Sequence, residues 1–541
     1  MPDRSVAAVS PTTAARRRRT PVAESLNLAQ LAEDSLARVG DHDALVFEGK
    51  TWRSAALHER ARRVATGLAA LGVQPGDRVV VLMANCPEVL ITYNAIWRAG
   101  AVVTPVVFLV TAAELGHILV DSSAVAVVTT PELLAVVRDA AATAPTVRHI
   151  VVASGGDAEA DAVDGAGARR VDFVELEADE PGRLVYRGDD ELAALMYTGG
   201  TTGRAKGVAL SHRNLWRTGK SAWQSSNVPG LTRVITPLPL SHAYGMIVTI
   251  VGMHADEPSL AVIQRWFNTA EWVTLCERYG CQRTALVPAM MQMLLAEPLE
   301  EAHLESLRYV TSGAAPLALE VLREFERRVP SAEILEGYGC TETSAVISSS
   351  PPARRRVGSV GVPIRDCEVR ILDDADRPLG VGEDGEICVR SPGVMSGYWN
   401  APQETAEALR DGWLHTGDVG HFDSDGYLYV VDRKKDLILR GGFNVFPRDV
   451  EDVLLSHADV TMAGVVGRPD PRLGEEVVAF VTIRPGASVT ADELIAHARS
   501  RLSATKSPRE VQLVESMPLT SVGKLDRKAL RALLADCAPV R

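Results

Sequence analysis

"ELAALMYTGGTTGRAKG", residues 191–207, sets a short apolar run against a loop rich in glycine and threonine. The run 191–198 reads as a buried strand, so the loop hangs from a rigid edge, where ligand loops sit. Gly199, Gly200, Gly203 and Gly207 remove the Cβ atoms that would hold a backbone away from an anion. Thr198, Thr201 and Thr202 add hydroxyls, and Lys206 adds a flexible point charge suited to a phosphate oxygen. The widespread phosphate loop sets lysine directly after its second fixed glycine, but here Lys206 follows Ala205, so that frame fits at no offset. A tight strand connection that uses Gly and Thr only for turn geometry is the bland reading.

Working outward, helical and strand patterns alternate from about residue 26. Residues 51–72 read as an amphipathic helix ending on Gly72, 77–83 as a continuous apolar strand, and 101–120 as a core strand followed by a helix start. Such alternation predicts parallel α/β sheets. Residues 154–170 are Gly/Ala/Asp-rich and read as an exposed loop. From about 355 short strands with frequent turn signals predict a β-rich unit over 355–431, and after Asp432 a compact α+β tail follows. The domain reading is a tail over 1–25, a large domain over 26–434 and a smaller one over 435–541.

A chain of 541 residues exceeds a single core. The net charge of −12 argues against a nucleic-acid surface as the main function. Seven scattered cysteines contain no C-x-x-C, so neither a zinc site nor a disulfide framework is indicated, which fits a reducing compartment. Arg16–Arg19 lie in a polar tail with no apolar run behind them, read as a disordered segment, with a transit peptide as the rival. No stretch reads as a membrane span, and the expectation is a soluble, cytoplasmic protein.

Further segments complete an ordered set: "PLPLSHAYG" (237–245), "SGAAPL" (312–317), "EGYGCTETS" (336–344), "GWLHTGD" (412–418), "DRKKDLILRGGFNVFP" (432–447) and "PLTSVGKLDRKALR" (518–531). With the opening loop, this set resembles the signature motifs of the adenylate-forming superfamily, nearest its acyl-CoA synthetase and 4-coumarate–CoA ligase-like branch. The resemblance covers roughly residues 26–535. It implies a large N-terminal domain of two α/β lobes plus a β-barrel, and a small mobile α+β C-terminal domain turning on a hinge at Lys435. It also implies the chemistry: a carboxylic acid and ATP give an acyl-adenylate and pyrophosphate, and coenzyme A then displaces AMP to give a thioester.

The resemblance implies roles residue by residue. Thr198, Gly199, Gly200, Thr201, Thr202, Gly203 and Lys206 would wrap the β- and γ-phosphates, and Glu342 would hold Mg²⁺. Thr341 would donate to the α-phosphate; Glu336, Gly337, Tyr338 and Ala314 would border the nucleotide. Asp418 and Arg433 would reach the ribose, beside Lys435. Lys524 would bridge the attacking carboxylate and the α-phosphate, where charge concentrates. His242, Tyr244, Met246, Val248, Val287, Met290 and Ala314 would line the acyl pocket, and Gly441 and Gly442 would admit the coenzyme A arm. Thr202, Glu342, Lys524 and His242 form the catalytic set.

Taken singly, Glu342 reads equally as a helix-terminal carboxylate, His242 as a satisfied helix start, and Lys524 as a surface charge. The sequence departs from the pattern at Gly199 (often Ser), Ala205 (often Pro) and Gly441 (Lys in several plant relatives). Asp256 and Glu257 stand in a region usually small and apolar, marking either a surface turn or altered acyl-site chemistry. No Arg or Lys falls among the pocket candidates, so an aryl, arylacryl or medium-chain fatty acid is expected and dicarboxylates are not. Another acceptor (a carrier-protein thiol or an amine) and a non-catalytic nucleotide scaffold are the rival functions; a homodimer stays open.

Overall fold

The computed structural model of the chain describes residues 25–153, 167–198, 205–519 and 525–536. Within these, the N-terminal part builds two large sheets. The first runs in the order Gly397–Tyr398, Lys206–Ser211, Leu192–Thr198, Val102–Pro105, Arg78–Leu82, Ala126–Thr129, His149–Val152 and Arg169–Asp172. From Leu192–Thr198 onward its neighbours are parallel. Val79, Val80, Val81 and Leu82 are all buried, as strands covered by helices on both faces must be.

The second sheet places Glu333–Tyr338, Tyr309–Ser312, Arg283–Leu286, Arg233–Thr236, Leu260–Ile263 and Asp43–Phe47 side by side, all parallel. Helix Ala243–Met253 joins the two sheets: its Met246, Ile247 and Ile250 pack into the apolar core of the first.

Two local expectations shift. Residues 51–53 are not helical: Lys50–Arg53 forms a strand against Asp43–Phe47, and the helix is Ser54–Ala70. Edge pairing wins over a helical pattern that three residues cannot specify. The expected loop 154–170 is shorter at its end, because Arg169–Asp172 pairs with His149–Val152 and buries Val171. Residues 154–166 lie outside the described residues.

The β-rich unit is a five-stranded antiparallel sheet of Glu368–Leu372, Gly385–Arg390, Trp413–Phe422, Leu409–Arg410 and Leu428–Arg433. Among the described residues no pairing joins Glu368–Leu372 to Leu428–Arg433. A single turn, Lys434–Asp436, leads from it into the smaller C-terminal sheet, whose long hairpin Val460–Asp470 and Gly474–Ile483 carries helices Pro447–Leu455, Ala491–Arg499 and Arg527–Asp536. That unit has its own apolar core around Val465, Val477, Ala479 and Leu494. The chain is thus a mixed α/β multidomain protein with a large N-terminal and a smaller C-terminal domain. No described helix is long and apolar enough to cross a membrane.

Candidate active site

Thr198 and Lys206 are cross-strand partners, so the glycine loop leaves and re-enters the first sheet at one point. Gly199, Gly200, Thr201, Thr202 and Gly203 lie outside the described residues, as does Lys524. Lys206 Nζ sits 5.2 Å from the centre of the Tyr398 ring. Tyr398 is held there by the short strand Gly397–Tyr398, paired to Lys206–Ser211, and its hydroxyl donates to Glu342 Oε1 at 2.9 Å. Tyr398 is absent from the motif reading. Its only trace in the sequence is the first of two adjacent aromatics in "SGYWN" (396–400), too short for any period.

Glu342 is presented by a tight reversal. A Cβ on Gly339 would lie 2.1 Å from the Ala345 carbonyl oxygen, so only glycine lets the chain double back there. Ser344 and Ala345 both adopt positive φ (56° and 80°), and Met395 N–H donates to the Glu342 carbonyl at 2.8 Å. Thr341 opens the short 3₁₀ turn Thr341–Thr343 that carries Glu342. Burial beside Glu342 pushes the neighbouring Cys340 thiol well up, so it stays protonated.

The strand Glu333–Tyr338 delivers Glu336, Gly337 and Tyr338 to the same edge. The Tyr338 hydroxyl donates to Asp418 Oδ2 at 2.6 Å. Burial, then the Asp418 charge, push this phenol well above its ordinary range. Arg433 Nε lies 3.3 Å from Asp418 Oδ1, and the two residues are register partners across Trp413–Phe422 and Leu428–Arg433. Asp418, with 13% of its side chain exposed, is thus a carboxylate already oriented by a phenol and a guanidinium. Glu336 accepts from Gly358 N–H at 3.2 Å, while burial raises its carboxyl above the ordinary range. Burial and then the Arg433 charge depress the Lys435 ammonium.

The expected acyl pocket divides. On helix Ala243–Met253, Tyr244 and Val248 are half-buried on one face, as i and i+4 must be. Met246 is fully buried in the core on the opposite face and is removed from the pocket set. His242 caps this helix, its Nδ1 accepting from Tyr244 N–H at 3.3 Å, which is the bland reading of that histidine. Val287 and Met290 are half-buried at the start of helix Pro288–Leu294, with Met290 leaning on the second sheet's core. Ala314 is exposed with a φ of 68°.

Arg283, overlooked by the motif reading, enters this region from the second sheet. Counting back by twos from Val287 passes Ala285 and reaches Arg283, so strand alternation alone would have found it. Asp256 and Glu257 resolve to a surface turn: Arg38 lies 3.5 Å from Asp256, and Gly230 N–H donates to Glu257 at 3.0 Å. Gly441 and Gly442, with φ of 60° and 83°, form the exposed two-residue turn between Ile438–Arg440 and Phe443–Val445. That turn accounts for both glycines without a ligand.

One cluster of metal-ligating side chains appears among the described residues: Glu386, Cys388 and His415, mutually within 4.8 Å. Arg410 donates to His415 Nδ1 at 2.6 Å, and Lys434 Nζ lies 3.4 Å from Glu386. Two cations therefore fill it, and it serves as a polar strut under the Lys434–Asp436 turn. Glu342 differs: a hard carboxylate bonded to the Tyr398 hydroxyl has the donor chemistry that would suit Mg²⁺, which keeps few protein ligands.

The chain matches the AMP-binding enzyme family over residues 32–399 and the AMP-binding enzyme C-terminal domain over 449–524. It is 36% identical to a feruloyl-CoA synthase of Amycolatopsis sp, covering 92% of this chain and 96% of that one. It is 33% identical to a long-chain-fatty-acid–CoA ligase of Bacillus subtilis, covering 93% and 94%. Among solved structures it resembles an amide bond synthetase, McbA from Marinactinospora thermotolerans, with a TM-score of 0.83, 30% identity and coverage of 94% and 99%. A chain that matches these families and relatives over this length belongs to the AMP-binding enzyme family.

Proposed function

We propose that the protein is an AMP-forming acid–thiol ligase. A carboxylate oxygen attacks the α-phosphorus of ATP, the bond to pyrophosphate breaks, and an acyl-adenylate remains. The thiol of coenzyme A then attacks the acyl carbon, loses its proton, and AMP departs. The acid is an aryl or arylacryl acid, in keeping with the feruloyl-CoA synthase relative.

Asp418, preset by Tyr338 and Arg433, accepts from the two ribose hydroxyls, for which a two-oxygen carboxylate is suited. Thr198 and Lys206, at the two ends of the loop, attend the departing pyrophosphate. Glu342, steadied by Tyr398, holds Mg²⁺, which when bound neutralises charge on the phosphates. Lys524 supplies the cation between carboxylate and α-phosphate. The C-terminal domain turns about Lys435 between the two steps, and the enzyme works in the cytoplasm.

The observation that carries this reading is the preset Tyr338–Asp418–Arg433 arrangement opposite Glu342, a nucleotide seat built before the nucleotide arrives. The amide bond synthetase neighbour supports a second reading, in which an amine or a carrier-protein thiol replaces coenzyme A. ATP–pyrophosphate exchange over a panel of carboxylic acids, followed by product analysis with and without coenzyme A, tests both. No exchange with any acid sinks adenylation, whereas exchange without thioester moves the protein to the second reading.

A further inference from the structure

Strand Arg283–Leu286 has two unlike faces. Thr284 and Leu286 are buried on the helix side, whereas Arg283 and Ala285 are half-buried on the other. The neighbouring strand matches it in register, Arg283 opposite Tyr309 and Ala285 opposite Thr311, and there Val310 and Ser312 take the buried side. Arg283, Ala285, Tyr309 and Thr311 therefore share the face that leads up to Val287 and Ala314, the acyl-pocket candidates at the strand ends. Each two-residue step along that face is about 6.5 Å, so Arg283 lies two steps below the mouth at Val287.

Across the face stands Tyr244, whose phenol lies within electrostatic reach of Thr311 and Arg283. Arg283 has the Tyr244 and Tyr309 phenols as its charged-state neighbours, and no carboxylate among the described residues pairs with it. Other deep arginines behave differently. Arg98 meets Glu33 at 2.6 Å, Arg440 meets Glu476 at 2.7 Å, and Arg527 meets Glu451 at 2.7 Å. Desolvation depresses the Arg283 guanidinium, whereas a paired carboxylate raises Arg527. A buried guanidinium without a counter-ion is costly, and proteins rarely keep one that nothing uses. Arg283 is half-buried rather than sealed in the core.

We infer that Arg283, flanked by the Tyr244 and Tyr309 hydroxyls, receives a second carboxylate at the far end of the acid, so that the substrate is an aryl or arylacryl dicarboxylic acid. This replaces the expectation that dicarboxylates are excluded, and it rests on the adenylating function proposed above. A bidentate carboxylate suits the guanidinium fork, and two phenols supply further donors. An alkyl tail in the same place would strand the charge.

The test is ATP–pyrophosphate exchange with three cinnamic acids bearing a carboxylate, a hydroxyl or a methyl at the para position. Wild type is compared with Arg283→Leu and Arg283→Lys, with thermal melting as the check on folding. Wild type should favour the para-carboxyl acid over the para-methyl one by at least about tenfold in kcat/KM, and Arg283→Leu should lower that ratio by about 10²-fold. Arg283→Lys should keep part of it. A wild type that prefers the methyl or hydroxyl acid, or a ratio that Arg283→Leu leaves unmoved, overturns the inference while leaving adenylation standing. Exchange with none of the acids sinks adenylation instead. Calorimetric binding of para-carboxycinnamate then decides: heat that Arg283→Leu abolishes supports the site, and no heat in wild type overturns it.

Discussion

The Tyr398 hydroxyl donates to Glu342 Oε1 at 2.9 Å across 56 residues of sequence, tying a two-residue edge strand to the tight reversal at Gly339. Glu342 is thereby held in one rotamer before any ligand binds. Tyr398→Phe keeps the ring over which Lys206 sits and removes only the hydroxyl. Losing one hydrogen bond to a charged group, about 1.5–3 kcal/mol, should raise the Mg²⁺ concentration needed for half-maximal pyrophosphate release by about tenfold or more. Titrating Mg²⁺ at saturating ATP and acid measures this. An unchanged midpoint would show that the tyrosine only packs.

Lys524 tests the chemistry itself. Lys524→Ala should slow adenylation by at least about 10²-fold, the scale of removing one preorganised charge donor. Thioester formation from supplied acyl-adenylate should survive, since that step has no attack at the α-phosphate. Single-turnover measurement of each half-reaction separates the two, and equal losses in both would remove Lys524 from its role.

The turn at Lys434–Asp436 invites a mechanical test. Asp436 is gripped from the C-terminal domain by Arg531 at 2.9 Å and Arg527 at 4.0 Å, so rotation must be taken up just before it. Lys435→Pro fixes φ near −65° and restricts Lys434 as well. Adenylation should persist while thioester formation falls steeply. Equal turnover in the complete reaction would place the pivot elsewhere.

Two histidines make acid sensitivity predictable. His212 accepts from Leu28 N–H at 3.2 Å and His254 Nε2 bonds the Trp216 carbonyl at 3.1 Å; burial depresses each to about 4. Folded values below the unfolded value of 6.5 mean that the unfolded chain binds protons first as pH falls. The stability they contribute is complete above pH 6.5 and drains away toward pH 4, at up to about 1.4 kcal/mol per pH unit for each histidine. Denaturant melts at pH 7, 6 and 5 should show the loss. His254→Phe, which keeps a flat ring against Trp216, should flatten the slope.

Much of the architecture was legible because buried parallel strands announce themselves. In "RVVVL" at Arg78–Leu82 the four residues after Arg78 are all apolar, and the structure buries all four. Motif order also drew together Tyr338, Asp418 and Arg433, which the structure sets in contact, and this is the ground for the proposed nucleotide site. What stayed hidden depends on faces and register. Met246 looked like a pocket residue because the motif ends beside it, but a helix turns it away from Tyr244 and Val248. Tyr398 was hidden for the opposite reason, because it reaches Glu342 through a sheet pairing that no local pattern displays, whereas Arg283 lay in plain alternation with Val287 and was passed over only because no motif covers it. Gly441 and Gly442 looked like room for a ligand, yet a two-residue hairpin needs them by itself.

Asp418 and Arg433 face each other across neighbouring strands, and Lys435 follows Arg433 by two residues. With the proposed hinge at Lys435 and the proposed ribose role of Asp418, the axis of the small domain's turn would pass beside the sugar. Close to an axle, rotation moves atoms little; far from it, the same angle sweeps a wide arc. A half-turn can exchange one remote loop for another above the adenylate while the grip on its sugar barely slackens. The intermediate then has no need to let go of the protein between the two reactions, and the risk of losing it to water falls for a reason that lies wholly in where the pivot was put.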